Sequence, residues 1–283
     1  MIRVCILCVC YNSYTEALYY ISSINSKINA DEVDLDLFFI DNSSEVDDIA
    51  VEELKSKTYN FNLNYVKNQN IGYFPSAAAV VEKLAICLKS YDYTIISNVD
   101  LSVSDDFFSN LQELNITESV GAIAPTIYSK ALDVDRNPKI YKKPSFLKLN
   151  LLRFLFRAPL THLLLKLINQ YRLKLRQYLK LNVSKINHSN VSNNVKIYAG
   201  HGSFLILTKN LCASLGNLNY PVFLFGEEIY IGETCIRFGL DVVFNPKLVI
   251  YDSEHVSTGL MQSSEYRKFN ADALDYILKT YRF

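Results

Sequence analysis

The chain has 283 residues, enough for one large domain or two closely packed halves, and 49% apolar with 20% charged residues excludes disordered and fibrous classes. Lys and Arg (29) balance Asp and Glu (29) to a net charge of zero, which argues against a protein that coats nucleic acid. The balance is uneven along the chain: between Arg136 and Gly226 there are fifteen Lys or Arg and no Asp or Glu, so a negatively charged partner is expected there.

Nothing in the sequence approaches the roughly 18 to 20 apolar residues that span a bilayer; within the basic segment the best uncharged stretch covers only 158–165. The opening MIRVCILCVCYNS has a single Arg, no small-residue cleavage site, and runs into a strand. The expectation is a cytoplasmic chain without signal peptide or membrane span. The six cysteines all sit in apolar surroundings. Cys5 and Cys8 spell CxxC, but three apart in a strand they face opposite sides, so reduced core thiols are expected.

In chain order, apolar strand-like runs at 2–10, 35–40, 63–66 and 93–97 alternate with helical patterns from about 15, near 46–57 and from about 75 to 89. That alternation predicts βαβ units and a mostly parallel sheet. Each run ends in a polar cluster: Tyr11-Asn12-Ser13, Asp41-Asn42-Ser43, Asn68 to Gly72, and Asn98-Val99-Asp100. Ligands of open α/β sheets bind beyond the carboxyl ends of the strands, so the four clusters should converge. No G-x-G-x-x-G follows the first strand and no P-loop occurs anywhere, which removes the sequence grounds for a dinucleotide dehydrogenase or a P-loop NTPase.

From 144 to 181 the text turns to Leu, Phe, Lys and Arg. Pro159 should divide it into two helices, the second with Leu164, Leu167, Ile168, Tyr171 and Leu175 on one face and Lys166, Arg172, Lys174 and Arg176 elsewhere. A basic amphipathic helix suits an anionic membrane surface; an ordinary core-facing helix with a solvated rim is the alternative. A polar linker follows, then a strand over 197–208 carrying Gly200-His201-Gly202-Ser203, a helix opening at Glu227 or Glu228, two short strands, and a helix over 264–281.

Three constellations could carry chemistry. Asp100 is a carboxylate delivered at a strand end, where a hard divalent cation across two phosphates would be held; a turn or cap role is the plain alternative. Gly226-Glu227-Glu228 places carboxylates in a first helical turn, which favours the anion that a general base must be, although such glutamates also simply cap helices. His255, beside Asp252 and Glu254, offers an imidazole and carboxylates to a metal shell begun by Asp100. His201 has a weaker case, and His162 and His188 weaker still.

In combination the order of these elements resembles the inverting family 2 glycosyltransferases of the GT-A fold. VCILCVCYNS is similar to that family's opening nucleotide-binding strand, FFIDNSS to its second, NQNIGYFPSAAA to its Asn-x-Gly segment, IISNVD to its metal motif, GHGSFLILTK to its acceptor-side strand, and FLFGEEIYIGETCIRFGLDVVFNPKLVIY to its Glu-Asp helix with paired strands. The resemblance implies a single GT-A domain: a nucleotide-sugar half over 1–135, a basic helical insertion over 136–195, and an acceptor half with a C-terminal helix over 196–283. It implies donor contacts from Tyr11, Asn12, Asp41, Asn42, Asn70, Gly72, Asn98, Asp100, His201 and Gly202, with Asp41 on the base. It implies Mg2+ or Mn2+ at Asp100 with His255 and Asp252, and Glu228, with Glu227 beside it, as catalytic base. Three departures stand out: Asn98 where an Asp is common, Glu228 for the more frequent Asp, and Asp252 where His is common.

The activity so implied is inverting transfer of a hexose from a UDP- or dTDP-linked donor to a glycan or lipid-diphosphate-linked acceptor. Its setting would be bacterial surface polysaccharide synthesis (O-antigen or capsule, the rhamnosyltransferase-like branch) at the inner face of the cell membrane, with no nucleic-acid partner. The alternative is a catalytically inactive nucleotide-sugar- or membrane-binding module of the same fold.

Overall fold

The computed structural model describes residues 1–130, 133–158, 194–253 and 261–283. Strand β1 (Ile2–Cys10) is buried along nearly its whole length, as a central strand covered on both faces must be. It pairs in parallel with β2 (Val33–Asp41) and β4 (Tyr93–Ser97), and β2 pairs in parallel with β3 (Asn62–Lys67). The intervening helices are α1 (Tyr14–Asn25), α2 (Asp48–Ser56) and α3 (Tyr73–Lys83). Helix α1 buries Tyr14, Ala17, Tyr20, Ile21 and Ile24, a spacing of one helical face. Helix α2 starts where the Asp47 carboxylate accepts from the Ala50 amide.

Beyond β4 the sheet ceases to be parallel. Strand β9 (Phe204–Thr208) runs antiparallel between β4 and β6 (Val120–Ser129); β6 pairs in parallel with β10 (Asp241–Asp252), and β5 (Leu101–Val103) lies antiparallel on β10. The short β7 (Val134–Asp135) and β8 (Val195–Ile197) pair with β6 and β10, giving ten strands among the described residues. The predicted mostly parallel sheet is therefore mixed, because β9 and the short strands β5, β7 and β8 pair antiparallel, while β6 and β10, with a helix between them in sequence, stay parallel. Two segmental readings also change. The strand expected over 197–208 is broken by the turn at Gly200 to Gly202, and the two short strands expected after the Glu227 helix are one strand, β10, whose register slips between Asn245 and Val249.

Two apolar layers sandwich the sheet. Tyr20, Ile21, Phe39, Phe107 and Phe204 belong to one; Phe74, Leu207, Tyr220 and Tyr230 belong to the other, shared with α6 (Lys209–Leu215) and α7 (Glu227–Arg237). Helix α4 (Phe107–Gln112) closes the first layer. A smaller cluster joins α5 (Phe146–Arg157) to α8 (Ser263–Thr280), with the Arg157 guanidinium on Asp275. Helix α5 ends at Arg157, two residues before Pro159, as the predicted break requires. The second basic helix, including Arg172, Lys174 and Arg176, lies outside the described residues, as do His162 and His188. All six cysteines are reduced. Five are buried and Cys87 is exposed, unlike the uniform burial expected. No helix among the described residues is long and apolar enough to cross a membrane.

Candidate active site at the strand ends

Strand register brings the polar clusters together. Cys10 sits beside Asp41 and Asp41 beside Lys67, while Cys8 sits beside Ser97, so the first four strands end at one edge. Ser97 faces Phe204 across the antiparallel β4–β9 pair, and the Asn98 amide donates to the Ser203 carbonyl at 3.0 Å. That bond sets the His201-Gly202 turn next to the Asn98-Val99-Asp100 segment. Asp252 is register partner to Leu101, and the Ser253 amide donates to the Asp100 carbonyl at 3.0 Å, so the ends of β4 and β10 meet there too.

Glu227 and Glu228 open α7 behind Gly226, whose φ of +85° is left-handed. A Cβ at Gly202 would lie 2.1 Å from Glu227 Oε1; only glycine lets that carboxyl reach the His201-Gly202 turn. Glu227 is buried and Glu228 half-buried. Burial, reinforced by the Glu228 charge, pushes the Glu227 carboxyl up to about 8. His201 is driven the other way, to about 3, by burial and by the charges of Lys139 and Arg136. Its Nδ1 accepts from the Ser203 amide at 3.2 Å, which leaves Nε2 as the protonated nitrogen of a neutral imidazole.

Two carboxylates are neighbours where β4 and β10 end. Asp100 is raised by burial and by the neighbouring Asp252, partly offset by Arg136 and a hydrogen bond from Asn98. Asp252 is 5% exposed, with Arg136 Nη1 at 2.6 Å. Adjacent hard oxygen donors that repel one another fit a divalent cation, which would relieve that repulsion. Among the described residues no group of three His, Cys, Asp or Glu gathers, and His255, the third expected ligand, lies outside them.

On the other side of the crevice, Tyr11 and Asn12 are exposed, and Asn12 is tied to the β2 turn by its amide on Ser43 Oγ at 2.9 Å. Asp41 lies beneath that surface, completely buried. Its Oδ2 accepts from Tyr14 (2.8 Å) and Tyr65 (2.7 Å), and its Oδ1 from the Ser43 amide (2.9 Å). Burial raises this carboxyl, but the hydroxyls of Tyr65 and Ser43, the Ser43 amide and the Tyr14 hydroxyl outweigh it and hold it below the ordinary value. Here Asp41 shapes the turn, with all its near partners internal. Asn42 is similarly committed, donating to the Gly72 carbonyl (3.1 Å) and Ser76 Oγ (2.8 Å). Asn70 is exposed. Gly72, at φ +110°, turns the chain into α3; a Cβ there would strike the Phe223 carbonyl at 2.2 Å.

Sequence reasoning missed Tyr14, Tyr65, Tyr73, Arg136, Asn137 and Lys139. Tyr73 donates to the Gly202 carbonyl at 3.1 Å, and Asn137 Oδ1 accepts from the His201 amide at 2.7 Å. No local pattern distinguishes these tyrosines among 20, and the loop after β7 reads only as the start of the basic segment.

No family model and no curated protein matches the chain. Solved structures do. A mannosyltransferase from Pyrobaculum calidifontis, solved with GDP-Man and Mn2+, superposes with a TM-score of 0.54 at 13% identity over 98% of this chain and 70% of its own. GalNAc-T7 with UDP, GalNAc and Mn2+ gives 0.57 at 11% over 99% and 56%. S. aureus TarS residues 1–349 gives 0.54 at 8% over 89% and 60%. The chain thus spans little more than half the length of the last two. At these identities the likeness speaks to architecture, and it is consistent: a mixed central sheet flanked by helices is the GT-A glycosyltransferase fold.

Proposed function

We propose that this chain is an inverting glycosyltransferase that moves a sugar from a nucleoside-diphosphate donor to a glycan acceptor. The observation that supports this reading is a half-buried carboxylate, Glu228, in the first turn of the helix whose Glu227 lies against Gly202, with Asp100 and Asp252 paired at the neighbouring strand ends. Tyr11, Asn12 and Asn70 supply the exposed donor surface, while Asp41 and Asn42 hold it from beneath.

Asp100 and Asp252, with His255, would hold the divalent cation, which supplies neutralisation of the leaving diphosphate when bound. Glu228 takes the proton of the acceptor hydroxyl as that oxygen attacks the anomeric carbon from the face opposite the diphosphate. The C–O bond to the donor phosphate breaks, the new glycosidic bond forms, and the configuration inverts. Glu227, whose burial against Gly202 favours its protonated form, stands beside the base and fixes the helix start. Neutral His201 presents a donor at Nε2 rather than a charge.

Support for a membrane-side acceptor comes from α5, which exposes Leu147 (79%), Leu151 (57%) and Phe154 (61%) on one stripe in a segment without acids. On this reading the acceptor is lipid-diphosphate-linked and the chain acts peripherally at the inner face of a bacterial membrane, in O-antigen or capsule synthesis of the rhamnosyltransferase-like branch. A UDP- or dTDP-linked donor suits that setting. Asp100→Ala and Glu228→Gln should each reduce transfer from radiolabelled donor by about 100-fold or more, in variants that melt within a few degrees of the parent. Transfer surviving both substitutions would sink the assignment.

A further inference from the structure

We infer that the loop after β7 is a clamp for the donor diphosphate, with Arg136 and Lys139 as two cations aimed at the strand-end crevice. The inference rests on the donor reading above and goes beyond it, since neither residue belongs to the expected site.

The loop is fixed at every step. Asp135 Oδ1 accepts from the Ile127 amide (3.0 Å) and the Asn137 amide (2.9 Å), and the Arg136 amide donates to the Ile127 carbonyl (2.9 Å). Asn137 Nδ2 donates to the Pro125 carbonyl (2.7 Å), while its Oδ1 receives the His201 amide (2.7 Å). The segment is therefore joined both to the end of β6 and to the turn that touches Glu227. Asp252 is buried and holds the Arg136 guanidinium at 2.6 Å, which orients a side chain that is still 26% exposed. Three residues on, Lys139 is exposed and makes no ion pair among the described residues. Lys139 is bracketed by two bonds to the same turn, the His201 amide on Asn137 Oδ1 (2.7 Å) and the Ile140 amide on the Ala199 carbonyl (3.0 Å), which place it beside His201.

Two cations three residues apart on a loop tied to the His201 turn and to the end of β10 call for an anionic ligand. A guanidinium anchored by a carboxylate can still present N–H groups to phosphate oxygens, and an ammonium adds a mobile point charge. The clamp would divide the diphosphate charge with the cation at Asp100, so part of the affinity should persist without metal.

The test is calorimetric titration of the full chain with UDP, dTDP and GDP and their monophosphates, in Mn2+ and in EDTA, for the parent, Arg136→Gln and Lys139→Gln. For the nucleotide that binds, each substitution should weaken the diphosphate by about 10-fold and the monophosphate by much less. The parent should retain metal-free diphosphate binding that both variants lose. Lys139→Gln alters an exposed side chain, so it reports even if Arg136→Gln fails to fold. A Lys139→Gln protein that keeps the parent's diphosphate-to-monophosphate ratio and its EDTA-resistant binding would overturn the clamp while leaving the donor site standing. A parent that binds no diphosphate would overturn both.

Discussion

The carboxyl of Glu227 and the missing side chain of Gly202 are one feature seen from two sides. With a folded value near 8 against an ordinary 4.5, Glu227 binds a proton in the native state that the unfolded chain has released between those pH values. Its contribution to stability is therefore fully present below about pH 4.5, declines as pH rises through the window, and is lost above about 8. Glu227→Gln, which mimics the protonated form, should flatten the pH dependence of melting and raise the melting temperature by roughly 3 °C at pH 8.5 relative to the parent. It should retain transfer to within about 10-fold, where Glu228→Gln does not. Loss of transfer in Glu227→Gln equal to that in Glu228→Gln would reassign the base. In Gly202→Ala the new Cβ would meet Glu227 Oε1 at 2.1 Å and push that carboxyl aside, and transfer should fall by about 100-fold in a protein that still binds nucleotide.

At the scale of elements, legibility follows how local the determining physics is. Strands β1 and β2 and helix α8 were readable because their burial repeats in the sequence itself. The break at Gly200 to Gly202 was not, because it depends on the turn meeting Asn137, 64 residues away, and on Glu227. Position 72 shows the same limit: its Asn-x-Gly setting marked a site, while the reason glycine is required is the Phe223 carbonyl. Gly72→Ala should cost about 2–4 kcal/mol in denaturant unfolding, from a left-handed backbone and a backbone collision together; a loss under 0.5 kcal/mol would show that the α3 entry relaxes freely. For the basic helices the proposal is electrostatic. Arg172, Lys174 and Arg176 replaced together by Glu should abolish sedimentation with anionic liposomes without changing nucleotide affinity, and unchanged sedimentation would remove the membrane surface from the account.

For the whole molecule, a net charge of zero conceals a division of labour. Asp252 at a strand end pairs with Arg136, the first of fifteen Lys or Arg in a stretch of sequence without acids. Composition showed the basic segment at once, but which of its members turn inward emerged only with the fold, since Arg136 and Asp252 are far apart in sequence and adjacent in space. The same holds for the sheet: the parallel half was legible from βα alternation, whereas the antiparallel insertion of β9 is a long-range pairing no window of sequence contains. The account as a whole requires the crevice to bind a nucleoside diphosphate through Asp100. The most direct measurement is calorimetric binding of UDP, dTDP, GDP and CMP with and without Mn2+, on the parent and on Asp100→Ala. Metal-enhanced binding of one nucleoside diphosphate, with the enhancement lost in Asp100→Ala, is the predicted result. Binding of none of them, or enhancement by Mn2+ that survives the substitution, would contradict it.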